Sequence, residues 1–206
     1  MIMKRLVLLF CVAMLTIAAS AQITWNVKAG GGVATMWGSD TNGMKPHVVA
    51  KIGVGIEKPI SSNLSIMPSL EVAWKGFKFD TEEQDLGYGM TRLGATYNID
   101  LLYVQIPILA AYRLPLSSEW NMTLKAGPYV AYCVYDHVKV SAGGSSLNFN
   151  NEMDIKKFDA GIDAGFDFEY HRFEFGVEAE MGFLSIGGSD GDYKNLAFYA
   201  TIGYKF

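Results

Sequence analysis

Cysteine is almost missing from this chain, with Cys11 and Cys133 the two in 206 residues. Cys11 lies inside an N-terminal apolar stretch that reads as a removable leader, so an intramolecular disulfide is excluded from the mature protein. Histidine is nearly as scarce, with three residues, and no spacing of His, Cys and carboxylates matches a zinc site. Positive charge has no excess: 17 Lys and Arg stand against 21 Asp and Glu, whereas nucleic-acid binding calls for a basic stripe. No phosphate-cradling or dinucleotide fingerprint occurs, and no cofactor or metal is expected. Beyond the leader, no run approaches the ~18 apolar residues of a membrane helix.

The leader is the first positive signal. Lys4 and Arg5 precede a nearly continuous apolar stretch from Leu6 to Ala18, and Ala19-Ser20-Ala21 supplies small residues. This predicts a signal peptide over 1–21, cut before Gln22, because the apolar part is too short to anchor the chain as a membrane helix. Cys11 is not at the cleavage point, which argues against a lipid-modified N-terminus. The single domain is then 22–206.

Few prolines, 22 glycines and 13% aromatics favour an all-β chain. Phe158 to Gly187 organises it. Phe158, Ala160, Ile162, Ala164, Phe166, Phe168 and Tyr170 share one face, while Asp159, Asp163, Asp167 and Glu169 share the other. After a break at His171, Phe173, Phe175, Val177, Ala179, Met181 and Phe183 oppose Glu174, Glu178 and Glu180. Such strands exceed the ~5–6 residues usual in soluble sheets. They suit a tilted crossing of lipid by ~9–11 residues.

Six further alternating stretches are predicted as strands, over 23–37, 47–58, 64–79, 95–114, 121–140 and 195–206. Gly30-Gly31-Gly32 leaves a bare, bendable patch in the first, of the kind small barrels use to relieve crowding or curvature. Pro107, which removes a ladder hydrogen bond, predicts a bulge or local bend in the fourth. The connections alternate between long and short. Segments 38–46, 80–94 and 141–157 are long, 59–63, 115–120 and the break at His171 are short, and 188–194 is intermediate. Tight turns at one end and larger loops at the other predict an eight-stranded antiparallel up-and-down transmembrane β-barrel of the OmpA/OmpX kind, with both termini on the short-turn side. Closure would remove the sheet edges that lipid does not tolerate.

Several segments carry a resemblance. YVQIPILAAYRLP (103–115), AGPYVAY (126–132), FDAGIDAGFDFEY (158–170) and the terminal GYKF are similar to segments of the Bacteroidetes-type outer-membrane β-barrel domains that include PorT-like proteins. The resemblance implies an eight-stranded barrel in the cell outer membrane, in a family whose members have diverse roles. The terminal Phe206 resembles the signal read by the barrel assembly machinery.

Within such a barrel the polar face points inward, where eight strands leave room only for side chains. Lys28, Lys51, Lys75, Arg113, Lys125 and Lys205 lie there by parity. So do Glu57, Glu71, Asp159, Asp163, Asp167, Glu169, Glu174, Glu178 and Glu180. Acids gather on strands six and seven and bases on the others, which predicts a cross-lumen ion-pair network rather than an ion-conducting lining. Carboxylates two and four residues apart follow from strand parity and do not require an acid/base site. Asp136-His137 is the best catalytic candidate, against a reading as a loop-edge pair, and no second His or Ser nucleophile motif accompanies it. His47 and His171 read as surface residues. Three functions are therefore weighed: a structural or interaction barrel that binds an envelope or extracellular protein through its loops, an outer-membrane enzyme or narrow channel, and a soluble lipocalin-like barrel. The first is favoured, and the last would require the apolar faces to point inward.

Overall fold

The computed structural model describes residues 23–39, 41, 43–81, 84–85, 91–92, 94–142, 145–150, 155–187 and 192–206. The leader predicted over 1–21 lies outside the described residues. Eight long strands follow in chain order: β1 (Thr24–Trp37), β2 (His47–Pro59), β3 (Leu64–Thr81), β4 (Ala95–Pro115), β5 (Trp120–Ala142), β6 (Phe158–Tyr170), β7 (Phe173–Gly182) and β8 (Lys194–Lys205). Each pairs antiparallel with its sequence neighbours. β8 also pairs with β1, from Asn26↔Lys205 to Trp37↔Lys194, which closes the ring.

The two-faced pattern of the sequence becomes an outside and an inside. Val48, Ile52, Trp74, Ile108, Phe175, Val177, Phe198 and Ile202 are exposed outward, and the charged residues between them are buried. The soluble lipocalin-like alternative is therefore turned inside out. At the short-turn end the outer wall carries aromatic pairs: Trp120 with Tyr170 at 4.7 Å between ring centroids, Phe173 with Tyr204 at 5.2 Å, and Tyr204 with Phe206 at 5.3 Å. The β6–β7 connection is two residues, with His171 at φ 53° in the left-handed region.

Several expectations are corrected. The register shift on β4 falls at Leu102/Tyr103; Pro107 keeps its place opposite Tyr129 without a bulge, and the β4–β5 ladder is interrupted just beyond it at Ile108 and Leu109. The predicted loop 141–157 contains a strand, Ser145–Asn150, that folds back on the end of β5, and Gln84–Asp85 pairs with Thr91–Arg92 inside 80–94. β7 stops at Gly182, and the chain beyond it turns in so that Ile186 is buried. Ile56, placed outside by parity, is fully buried beside Glu57. The β2–β3 ladder skips both residues, so strict alternation fails there.

Closure makes a covalent test available. Val33 and Phe198 are direct partners on β1 and β8 and both face outward. The double variant Val33→Cys/Phe198→Cys should form an intramolecular disulfide on mild oxidation, seen as a gel shift reversed by reductant. Val33→Cys paired with Ile162→Cys on β6, with β7 and β8 between them, should not.

Candidate functional site

The lumen is where the chemistry-bearing side chains converge. Its lower part, towards the short turns, is built on Arg113 of β4, which reaches Glu57 of β2 at 2.9 Å and Glu169 of β6 at 3.3 Å. Lys205 of β8 meets Glu57 and Glu169 at 2.8 Å each and Glu174 at 3.0 Å. Ser65 and Thr123 donate hydrogen bonds to Glu57 and Glu169.

At mid-height Glu178 of β7 collects lysines from three other strands. Lys28 lies at 3.0 Å, Lys125 at 2.6 Å, and Lys51 is in direct contact. Lys28 also meets Glu71 at 2.7 Å, Lys125 meets Asp167 at 2.5 Å, and Lys51 meets Glu180 at 2.9 Å. Gln105 donates to both Glu71 and Glu180, at 3.0 and 2.8 Å. The carboxylates of Asp163, Glu178 and Glu180 lie close enough together to hold a metal ion. The Lys51 ammonium contacts Glu178 and Glu180 and sits 4.0 Å from Asp163, and so supplies the positive charge that an ion would bring.

Above this, Lys75 pairs with Glu180 at 2.7 Å and lies 4.5 Å from the centroid of the Tyr129 ring. Tyr129 and Asn195 both donate to Asp159, at 3.0 and 2.8 Å, and Asn195 also reaches the Tyr103 hydroxyl at 3.2 Å. A buried apolar layer including Met36, Phe77, Ile99, Leu101, Cys133 and Ile186 covers the column at the long-loop end. One cavity of about 20 Å³ opens among Asn26, Lys28, Ser69, Lys125 and Glu174. That is room for a single water.

The arrangement depends on glycine. Glu71 faces Gly53 across the ladder, Asp167 faces Gly176, Glu174 faces Gly203, Glu178 faces Gly165 and Asp163 faces Gly127. A Cβ on Gly176 would fall 1.9 Å from an Asp167 carboxylate oxygen, and one on Gly53 would fall 2.6 Å from Glu71 Cγ. The missing side chains are the space in which the acids lie. Parity alone did not reveal this, although glycine directly opposite an acid was the available signal.

All fifteen charges placed inside by parity, Lys28, Lys51, Lys75, Arg113, Lys125, Lys205, Glu57, Glu71, Asp159, Asp163, Asp167, Glu169, Glu174, Glu178 and Glu180, face the lumen. Asp159 departs from the ion-pair expectation and instead accepts from Tyr129 and Asn195. Gln105, Tyr103, Tyr129, Tyr199 and Asn195 complete the filling and were not nominated. Asp136 is buried and so is not part of an exposed loop-edge pair, and as consecutive residues of β5 it and His137 point to opposite faces. His47, read as a surface residue, is half-buried and contacts Asp100 at 2.7 Å. Outside the barrel wall, the hydrogen bond from Lys45 to Asp80 at 2.7 Å, aided by Thr96, holds the Asp80 carboxyl below its usual range.

Breaking the hub at mid-height should be costly. Glu178→Gln leaves Lys28, Lys51 and Lys125 without their shared partner, and removal of one member of a buried pair costs about 3–5 kcal/mol. Its denaturant midpoint should fall well below that of the parent barrel in folding–unfolding titrations, while Asp80→Asn at the exposed pair should leave it nearly unchanged.

An outer wall of exposed apolar side chains, with aromatics at one rim and charges enclosed, is the form a β-sheet takes when lipid surrounds it. The family comparison agrees. A family model described as outer membrane protein beta-barrel domain matches residues 18–187. No curated protein matches. Among solved structures, Neisserial surface protein A (NspA) is 13% identical, with 88% of this chain and 97% of that chain covered and a TM-score of 0.48. Ail, the attachment invasion locus protein of Yersinia pestis, is 13% identical over 89% of this chain and 98% of that chain, with a TM-score of 0.44. Its complex with the heparin analogue sucrose octasulfate is 15% identical over 90% and 99%, with a TM-score of 0.42. The chain belongs to the outer membrane protein β-barrel domain family and is a small β-barrel of the bacterial outer membrane.

Proposed function

We propose that this barrel is closed to solutes and works as a structural or interaction protein, with its long-loop end outside the cell. The carrying observation is the filled lumen: ion pairs occupy its lower and middle parts, tyrosines its upper part, and an apolar layer lies over them. A channel would need a continuous wet path, and an enzyme would need a nucleophile and base held together at a rim. The internal charges then serve stability, and contact with partners falls to the long-loop end.

The segments at 103–115, 126–132 and 158–170 support a finer placing among the PorT-like small barrels of the Bacteroidetes type. Residues 1–21 act as the export signal, and Phe206, exposed beyond β8, is the contact for the barrel assembly machinery. Lipid is the barrel's constant partner, through its outward apolar wall.

Purified protein in planar bilayers should give no steady single-channel currents, and stable stepwise conductance would overturn the closed reading. Intact-mass measurement of protein isolated from outer membranes should place the first residue at Gln22. Recovery of the chain with Met1 or another residue inside 1–21 as its start would count against the leader.

A further inference from the structure

β5 outlasts its neighbour. β6 pairs with it only between Tyr170↔Trp120 and Phe158↔Tyr132, and from His137 to Ala142 the vacated side of β5 is taken by Ser145–Asn150. That strand ends the sheet: among the described residues no strand lies on its far side. In an antiparallel strand, alternate residues point their N–H and C=O groups away from the one partner, so half of the backbone groups of this strand are open. Its sequence is SSLNFN, without charge or proline. Natural edge strands are usually blunted by such residues or by a bulge, and this one is not.

The side chains continue the same opening. One apolar row crosses the strands as Phe77, Ile99, Val138 and Phe149, rising from 8% exposed at Phe77 to 39% at Phe149. The next row runs Phe79, Tyr97, Val140 and Leu147, and Leu147 is 64% exposed. Among the described residues, no strand continues either row beyond this edge. At its foot Lys156 and Lys157 are exposed, and the Lys157 carbonyl accepts from the Cys133 N–H at 2.7 Å, so these lysines stand beside β5 just below the open strand.

We infer that Ser145–Asn150 is a docking edge for an extended segment of an external protein, which adds to the sheet as a further strand. Main-chain hydrogen bonds supply the affinity in this mode, and alternate side chains supply the selection. The fitting segment carries apolar residues at every second position, to extend the two rows, and acidic residues at its membrane-proximal end, to meet Lys156 and Lys157. A second copy fits less well. Two barrels in one membrane are related by an axis along the membrane normal, so their edges would run parallel and could not form the antiparallel pairing of the rest of this sheet. The inference rests on the outward placing of the long-loop end.

The test uses the whole barrel in lipid nanodiscs and a labelled synthetic peptide alternating valine with threonine and ending in glutamates. Saturable binding is expected. It should weaken about tenfold or more with Leu147→Lys, whose melting profile stays that of the parent, and equally when alternate peptide nitrogens are methylated. No saturable binding to the parent, or binding that ignores both changes, overturns the proposal, as does edge-to-edge crosslinking of Ser146→Cys barrels without peptide binding. Labelling of Ser146→Cys on intact cells by a membrane-impermeant maleimide separates the two readings. Labelling without peptide binding defeats the docking edge, whereas peptide binding without labelling upholds the edge and defeats the outward orientation.

Discussion

Glu178 ties four strands through one carboxylate, since Lys28, Lys51 and Lys125 reach it from β1, β2 and β5. Burying this many charges is unfavourable unless each is paired and hydrogen-bonded, and hydrophobic replacements would often be as stable. The gain here is in register. A strand with apolar residues outside and carboxylates inside cannot slip by one residue without placing its charges in lipid. Glu178 and its lysines therefore fix which face of β7 is which, and the neighbouring ladders inherit the choice.

Space decides whether the pairs can form. Eight strands enclose a lumen that ordinary side chains overfill, so each large charged group needs a small neighbour. Gly53, Gly165, Gly176 and Gly203 provide it, each directly across from an acid whose side chain an added Cβ would meet. Seen this way, the glycine content of the chain belongs to packing as much as to turns. The Gly30-Gly31-Gly32 run, expected to relieve crowding or curvature in β1, relieves crowding at Gly30, where an added Cβ would meet Thr201 at 2.9 Å and the Lys51 stem at 3.6 Å.

Strand order, bounds and facing were legible because period-two alternation is forced wherever one side meets lipid and the other meets ions. The signal weakened where that force lapses. At the long-loop end the alternation inverts, with Phe77, Ile99 and Val138 turned inward and Lys78, Asn98 and Lys139 on the other face. A rule that puts polar residues inside therefore no longer read the buried layer or the inward turn of Ile186. Ser145–Asn150 lies past the end of the β5–β6 ladder, and its short Ser/Asn-rich sequence looks like loop until β5 is seen to project past β6. The bulge at Leu102/Tyr103 had no proline or glycine to mark it, while Pro107 fitted a regular position. Asp136 and His137 were adjacent in sequence, but a strand separates neighbours rather than joining them.

The two ends of the barrel consequently do different work. Below the apolar layer, ion pairs and hydrogen bonds link side chains of different strands, and a substitution there acts first on folding. Above it, β3, β4 and β5 continue as a sheet whose inner face grows steadily more exposed toward Ser145–Asn150. The paired lower part holds this extension at a fixed tilt and height above the membrane, so an incoming segment meets a preformed edge and not a loop that must first be ordered. Rigidity of that kind removes an entropic cost from binding. The closed lumen thus contributes to recognition by supporting the extension, although no internal charge touches what is bound.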